Sequence, residues 1–119
     1  MQDIEPAANY AMNASNCPVA SAVQTFSGKW KPIMLHMLAE REMHFAQIIR
    51  ALPKASKKVL TDQLRELEAE GIILRTPTNE RRPRVIYSLS ELGKSLAPIL
   101  LELYYWEKSR RIEHRNHAA

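Results

Sequence analysis

The chain has 119 residues, 45% apolar and 25% charged, the balance of one globular domain rather than of a disordered chain. One cysteine, Cys17, excludes a disulfide framework and a Cys-rich zinc site; three scattered glycines exclude a phosphate-cradling loop; and no apolar run approaches the ~20 residues of a membrane span. The net charge of +4 is unevenly placed: residues 1–46 carry −1, residues 47–89 carry +4 and residues 90–119 carry +1, which points to a polyanionic partner, nucleic acid first.

The N-terminus starts acidic and lacks the apolar core of a signal peptide, so the expected location is the cytoplasm, with no membrane partner. Residues 1–16 have no sustained period and read as a flexible N-terminal arm. Structure is expected from Cys17, where Pro18 suits a first helical turn because its missing N–H costs nothing there. Val19, Val23 and Phe26 recur at helical spacing until Ser27-Gly28 breaks the helix. A second helix runs from Lys31 to about Glu40, with Ile33, Met34, Met37 and Leu38 as its apolar stripe and Trp30 packed at its entrance. A third covers about Phe45 to Leu52, with Ile48, Ile49 and Leu52 inward, and Pro53 ends it.

Ser56 is a good N-cap for a fourth helix that Gly71 stops. Leu60, Leu64 and Leu67 form its narrow apolar stripe, with Lys58, Asp62 and Arg65 on the opposite face and Thr61 at the margin. IILRTP and RVIYSL then read as two strands of a hairpin around the polar turn from Thr78 to Pro83. Ser90 caps a last helix, from about Glu91 to Ile112, in which Leu92, Leu96, Ile99, Leu103 and Trp106 repeat at coiled-coil spacing. Pro98 inside it should kink the helix or perturb its preceding turn. The domain is expected over residues 17–115, with 116–119 a short tail.

Two helices joined by a short turn and followed at once by a basic hairpin describe a winged helix-turn-helix: mainly α with a small β-hairpin. The second of those helices carries Ser56, Lys57, Lys58, Thr61, Gln63 and Arg65, candidates for reading double-stranded DNA in the major groove. Gln63 stands at an oblique angle, and its amide would reach an adenine edge only if the helix rolls. Arg81, Arg82 and Arg84 arm the wing, where they suit phosphates or a narrow minor groove.

The segments CPV at 17–19, GKWKPIML at 28–35, MHFAQIIRALP at 43–53, KVLTDQLRELEAEGII at 58–73 and VIYSLSELGKSLAPIL at 85–100 resemble the HxlR-type bacterial transcriptional regulators. The resemblance covers roughly residues 17–107. It implies a homodimeric DNA-binding regulator, with dimer contacts from the first and last helices, a recognition helix at 56–70 and a wing at about 72–89. The wing tip NERRP departs most from the common pattern, so no base preference carries over there.

A solvated charged face is the plainer reading of Lys57, Lys58, Thr61 and Arg65, but the winged-helix order and the wing arginines favour DNA contact. Leu96, Ile99, Leu100, Leu103, Tyr104 and Trp106 offer more apolar surface than one side of the last helix can bury, which predicts an isologous dimer on a near-palindromic operator. Cys17 has two readings. One is a small packed residue; the other is a thiol at a helix N-terminus, the position some HxlR-type regulators use as a switch for quinones, aldehydes or oxidants. A small-molecule or oxidant effector is therefore compatible with the chain, and Met34, Met37 and Met43 could line its pocket, although core packing accounts for them more simply. His36, beside the stripe of the second helix, reads as packed rather than ligating; His114 and His117 are three apart, but with His44 they find no Cys or carboxylate set that completes a ligand group, so no metal and no cofactor are expected. No nucleophile elbow or catalytic cysteine setting points to an enzyme. The rival readings are a winged-helix protein-interaction module that binds no DNA and a thiol sensor that reports to a partner protein.

Overall fold

The computed structural model describes residues 17–118, with side chains to His117, so the arm expected over 1–16 and Ala119 lie outside the described residues. The elements are α1 (Pro18–Phe26), α2 (Lys31–Glu40), β1 (Met43–His44), α3 (Phe45–Ala51), α4 (Lys57–Ala69), β2 (Ile73–Pro77), β3 (Val85–Leu89) and α5 (Glu91–Ala118). The sheet has the order β1-β3-β2 and is antiparallel throughout, with Met43 opposite Tyr87 and Arg75 opposite Tyr87 on its other side. This is a winged helix-turn-helix: α3 and α4 form the helix pair, and β2 and β3 the wing.

Each start has a local cause. Pro18 and Pro32 occupy first turns, where an amide would be unsatisfied anyway. Ser56 Oγ accepts the Val59 N–H at 3.1 Å, closing the start of α4. Gly71 ends it at φ 76°, a left-handed conformation that a side chain would strain. The core is the meeting of three apolar stripes: Met34, Leu35 and Leu38 from α2, Ile48 from α3, and Leu60, Leu64 and Leu67 from α4, closed by Ile73, Tyr87 and Leu89 of the sheet. Trp30 and Phe26 pack on its edge.

The last helix is anchored by a compact joint. The Ser90 N–H donates to Ile72 O at 3.0 Å, the Ser90 hydroxyl lies against the Gly71 and Ile72 carbonyls, and the Gly93 N–H donates back to Ser90 Oγ at 3.0 Å. A Cβ on Gly93 would run into the Ile72 carbonyl oxygen, so only glycine lets α5 come this close to β2.

Several expectations need amending. α2 turns its stripe by one position: Leu35 is buried, whereas Ile33 is 43% exposed. His36 is exposed and stacks on Tyr104 of α5, with ring centroids 6.1 Å apart. α5 does not stop near Ile112 but runs to Ala118, so residues 116–118 are helical. Its C-terminal part is laced by Glu107, which receives Arg110 at 2.7 Å and Arg111 at 3.0 Å. Pro98 lies within the helix, where it has no N–H for the Lys94 carbonyl.

Candidate nucleic-acid interface

At about 100° per residue, the leucine stripe that docks α4 on the core leaves the opposite side of the helix to solvent. Lys58 and Arg65 are exposed there, with Thr61 half-buried at the edge; Lys57, also exposed, stands about 50° from the centre of the stripe and reaches sideways from the first turn. Thr61 and Arg65 continue into a groove of about 400 Å³ between α4 and the wing, closed by Phe45, Glu68, Arg75, Val85 and Tyr87. Arg75 is brought there by register. It shares a sheet face with its partner Tyr87 and with Val85, the face turned toward α4. The residue stands on the first strand of the hairpin in sequence, but only the strand pairing shows that it belongs beside Arg65 rather than with the arginines of the tip.

The partners of these cations separate those ready to meet a phosphate from those already engaged. Lys58 Nζ lies 2.7 Å from Asp62 Oδ2, an exposed pair worth little and easily traded for a phosphate. Arg84 is held more firmly: its guanidinium makes two contacts, at 3.1 and 3.2 Å, with the Glu80 carboxylate, while its N–H donates to Thr78 Oγ1 at 2.9 Å. The hydrogen bonds from Arg84 hold the Glu80 carboxyl below the usual carboxylate range. Arg84 therefore braces the wing loop, and its charge is met within the loop. Among the described residues, Lys57, Arg65, Arg75, Arg81 and Arg82 make no ion pair.

The hydroxyls are also partly used. Thr61 Oγ1 donates to the Lys57 carbonyl at 2.8 Å, so what it leaves for a ligand is its methyl group and its lone pairs, which suit a thymine methyl or a base amino group rather than a phosphate. Ser56 Oγ accepts from Val59 and keeps its proton for a phosphate oxygen. Gln63 departs from expectation. Its Oε1 accepts the Trp30 N–H at 3.0 Å, 33 positions away, which turns the amide toward the α1–α2 loop instead of a base edge. On a helix Gln63 stands about 160° from both Thr61 and Arg65, so a groove that receives those two does not receive it.

The six side chains expected at a dimer contact also divide. Leu96 and Leu100 lean on the chain's own core. Ile99, Leu103, Tyr104 and Trp106 are exposed, and Leu92, Ser95, Leu96 and Ile99 border an apolar groove with Ala22, Thr25 and Phe26 of α1. Cys17 stands at the N-cap of α1, half-buried, its carbonyl accepting the Ser21 N–H at 3.0 Å and its side chain making no capping hydrogen bond. Among the described residues there is no cluster of three metal-ligating side chains and no helix long and apolar enough to cross a membrane.

A family of HxlR-like helix-turn-helix proteins matches residues 25–115. The chain is 38% identical to the HTH-type transcriptional regulator YybR of Bacillus subtilis (strain 168) over 103 residues, 87% of this chain and 82% of that protein. Among solved structures it is similar to the redox regulator HypR in its reduced form, at 36% identity and TM-score 0.78, covering 84% of this chain and 99% of that one. It is also similar to the quinone-bound YodB of Bacillus subtilis, at 30% identity and TM-score 0.68, covering 78% and 98%.

Proposed function

The chain belongs to the HxlR-like helix-turn-helix family and is a DNA-binding transcriptional regulator of that type; from that premise we propose that it works as a homodimer reading a near-palindromic operator. α4 enters the major groove, with Arg65 and Thr61 toward base edges and Ser56, Lys57 and Lys58 toward phosphates. Arg81 and Arg82 of the wing hold the adjacent backbone, and Arg75 lines the groove between the two. The observation that carries this reading is the groove between α4 and the wing that Arg65 and Arg75 line together, with Lys57, Arg81 and Arg82 exposed and, like those two, without ion pairs among the described residues. The exposed apolar side chains of α1 and α5 are assigned to the second copy.

Cys17 is the proposed sensor. Its sulfur makes no capping bond, the helix N-terminus behind it attracts negative charge, and two of the similar structures are of a redox regulator and of a quinone-bound regulator. A quinone would take the Cys17 sulfur in a new C–S bond, with the thiol proton passing to the ring to leave a hydroquinone thioether. Diamide would gain two electrons and two protons as Cys17 joins in a disulfide either with Cys17 of the second copy or with a small thiol, since one chain offers no second cysteine.

The test is a titration of DNA from the upstream region of the gene, with wild type and Cys17→Ser, each with and without diamide and a quinone. Specific, salt-sensitive binding that only treated wild type loses supports both parts. Binding indifferent to treatment removes the sensor and leaves the regulator. If a selection from random DNA also recovers no preferred site, the operator reading falls, and the protein-interaction module takes its place.

A further inference from the structure

The side of α4 that faces away from the proposed groove contact is also tied down, and by unusual means. Lys31, the first residue of α2, has a side chain only 7% exposed, yet it carries an ammonium group; Glu66 of α4 meets it at 2.6 Å. A buried cation is costly, and an apolar side chain of similar size would fill the same space at lower free energy. Three residues earlier on α4, Gln63 Oε1 takes the N–H of Trp30, one of the amides that the start of α2 leaves without a helical partner. Just before it the chain passes Gly28 at φ 142°, so close that a Cβ there would lie 3.3 Å from the same Gln63 oxygen. Gln63 and Glu66 thus grip the elbow between α1 and α2, through one backbone hydrogen bond and one ion pair in which the lysine is nearly buried and the Glu66 carboxylate is 60% exposed.

We propose that Gln63 and the Lys31–Glu66 pair are positioning residues for DNA recognition. They set the roll of α4 about its axis and make it depend on where the α1–α2 elbow stands. Leucine packing allows small rotations because apolar contacts are not directional. A hydrogen bond to a fixed amide and an ion pair one turn apart do not. The elbow is the end of α1, whose other end is Cys17 and whose Ala22, Thr25 and Phe26 border the groove on α5. A displacement of α1 is therefore delivered to the back of α4 at Gln63, about 160° around the helix from Arg65. This inference rests on α4 being the recognition helix, and its test separates the two.

Gln63→Leu removes the acceptor while keeping similar bulk; Gln63→Glu keeps an oxygen for the Trp30 amide. Each is titrated against the preferred duplex selected from random DNA and against a scrambled duplex. For Gln63→Leu the ratio of the two affinities should fall at least tenfold while scrambled-duplex binding changes less than twofold. Gln63→Glu should stay within about threefold of wild type, and Lys31→Met should fall between the two. In the free protein, amide exchange along 57–69 should rise at least fivefold in Gln63→Leu while 91–104 keeps its protection. A Gln63→Leu protein that melts earlier yet discriminates as before and keeps α4 protected would overturn the proposal, because Gln63 then serves stability alone. If wild type prefers no duplex, the operator reading fails, and the exchange measurement still decides the clamp.

Discussion

The half of the molecule built from α2, α3, α4 and the sheet buries its large apolar side chains, with Met34, Ile48, Leu60 and Leu67 wholly out of water. The half built from α1 and α5 does the reverse: no residue of α1 is buried, Val19 is 70% exposed, and Trp106 is 62% exposed. Both halves carry large apolar side chains, so the difference lies in what faces them. The first half closes its core within one chain; the second leaves most of its apolar side chains exposed. A core closed within the chain should govern whether the protein folds, and an open face should govern how many copies assemble.

The sharpest way to break that division is to cut into each half. Leu64→Ala, at a position 1% exposed, should cost about 3 kcal/mol in urea unfolding. A loss under 1 kcal/mol would mean that the closed half is less tightly packed than its burial implies. Trp106→Ala should leave the far-ultraviolet spectrum of the monomer unchanged and weaken self-association by about 2 kcal/mol, some thirtyfold, in sedimentation equilibrium. A variant that unfolds instead would place Trp106 in the fold. Within the DNA face, Arg65→Ala should cost about 1–3 kcal/mol on the preferred duplex and relax its sequence preference. Arg82→Ala should weaken all duplexes alike and lower the salt slope by about 1. Equal loss of preference in both would contradict the division between helix and wing.

The smallest effect is one of pH. The guanidinium groups of Arg110 and then Arg111 hold the Glu107 carboxyl down to about 2, against an ordinary 4.5. Its contribution to the end of α5 is therefore fully present above the ordinary value and is lost only as pH falls through about 2. A carboxyl-carbon NMR titration should show no Glu107 transition between pH 7 and 4. A midpoint near 4.5 would show these pairs open in solution.

Much of the closed half was legible because its signals are local. Ser56, the leucines at 60, 64 and 67, and Gly71 mark one helix without reference to anything distant. What escaped the sequence depends on partners far along the chain. β1 has only two residues, too few to show alternation, and exists because Met43 and His44 find Tyr87 and Ile86. Lys31 enters the sequence only as the start of a helix, and nothing near it in the chain announces Glu66, 35 positions on, as its partner. Gln63 stands at an oblique angle that brings it to a base edge only if the helix rolls, and nothing local announces that its oxygen is taken by a backbone amide on another element. Arg84 resembles its neighbours Arg81 and Arg82 until Glu80 folds back on it. Leu96 shares a heptad seam with Ile99 and Leu103, and only the packing of the helix shows that the seam splits, with Leu96 on the core and the other two exposed.

The joint at Gly93 has a consequence of scale. From Gly93 to Trp106, the last of the side chains expected at the dimer contact, the helix rises 13 residues, an arm of about 20 Å at 1.5 Å per residue. A tilt of about 10° at the pivot moves that contact by about 3.4 Å, close to the rise of one base-pair step. In the proposed dimer, such a tilt in each copy would change the spacing of the two recognition helices. A single methyl group at Gly93, pressing on the Ile72 carbonyl, would then act as a change of gauge. The Gly93→Ala protein should still bind DNA but favour operators whose half-sites stand a base pair nearer or farther apart, which a panel of spacer-length duplexes would reveal.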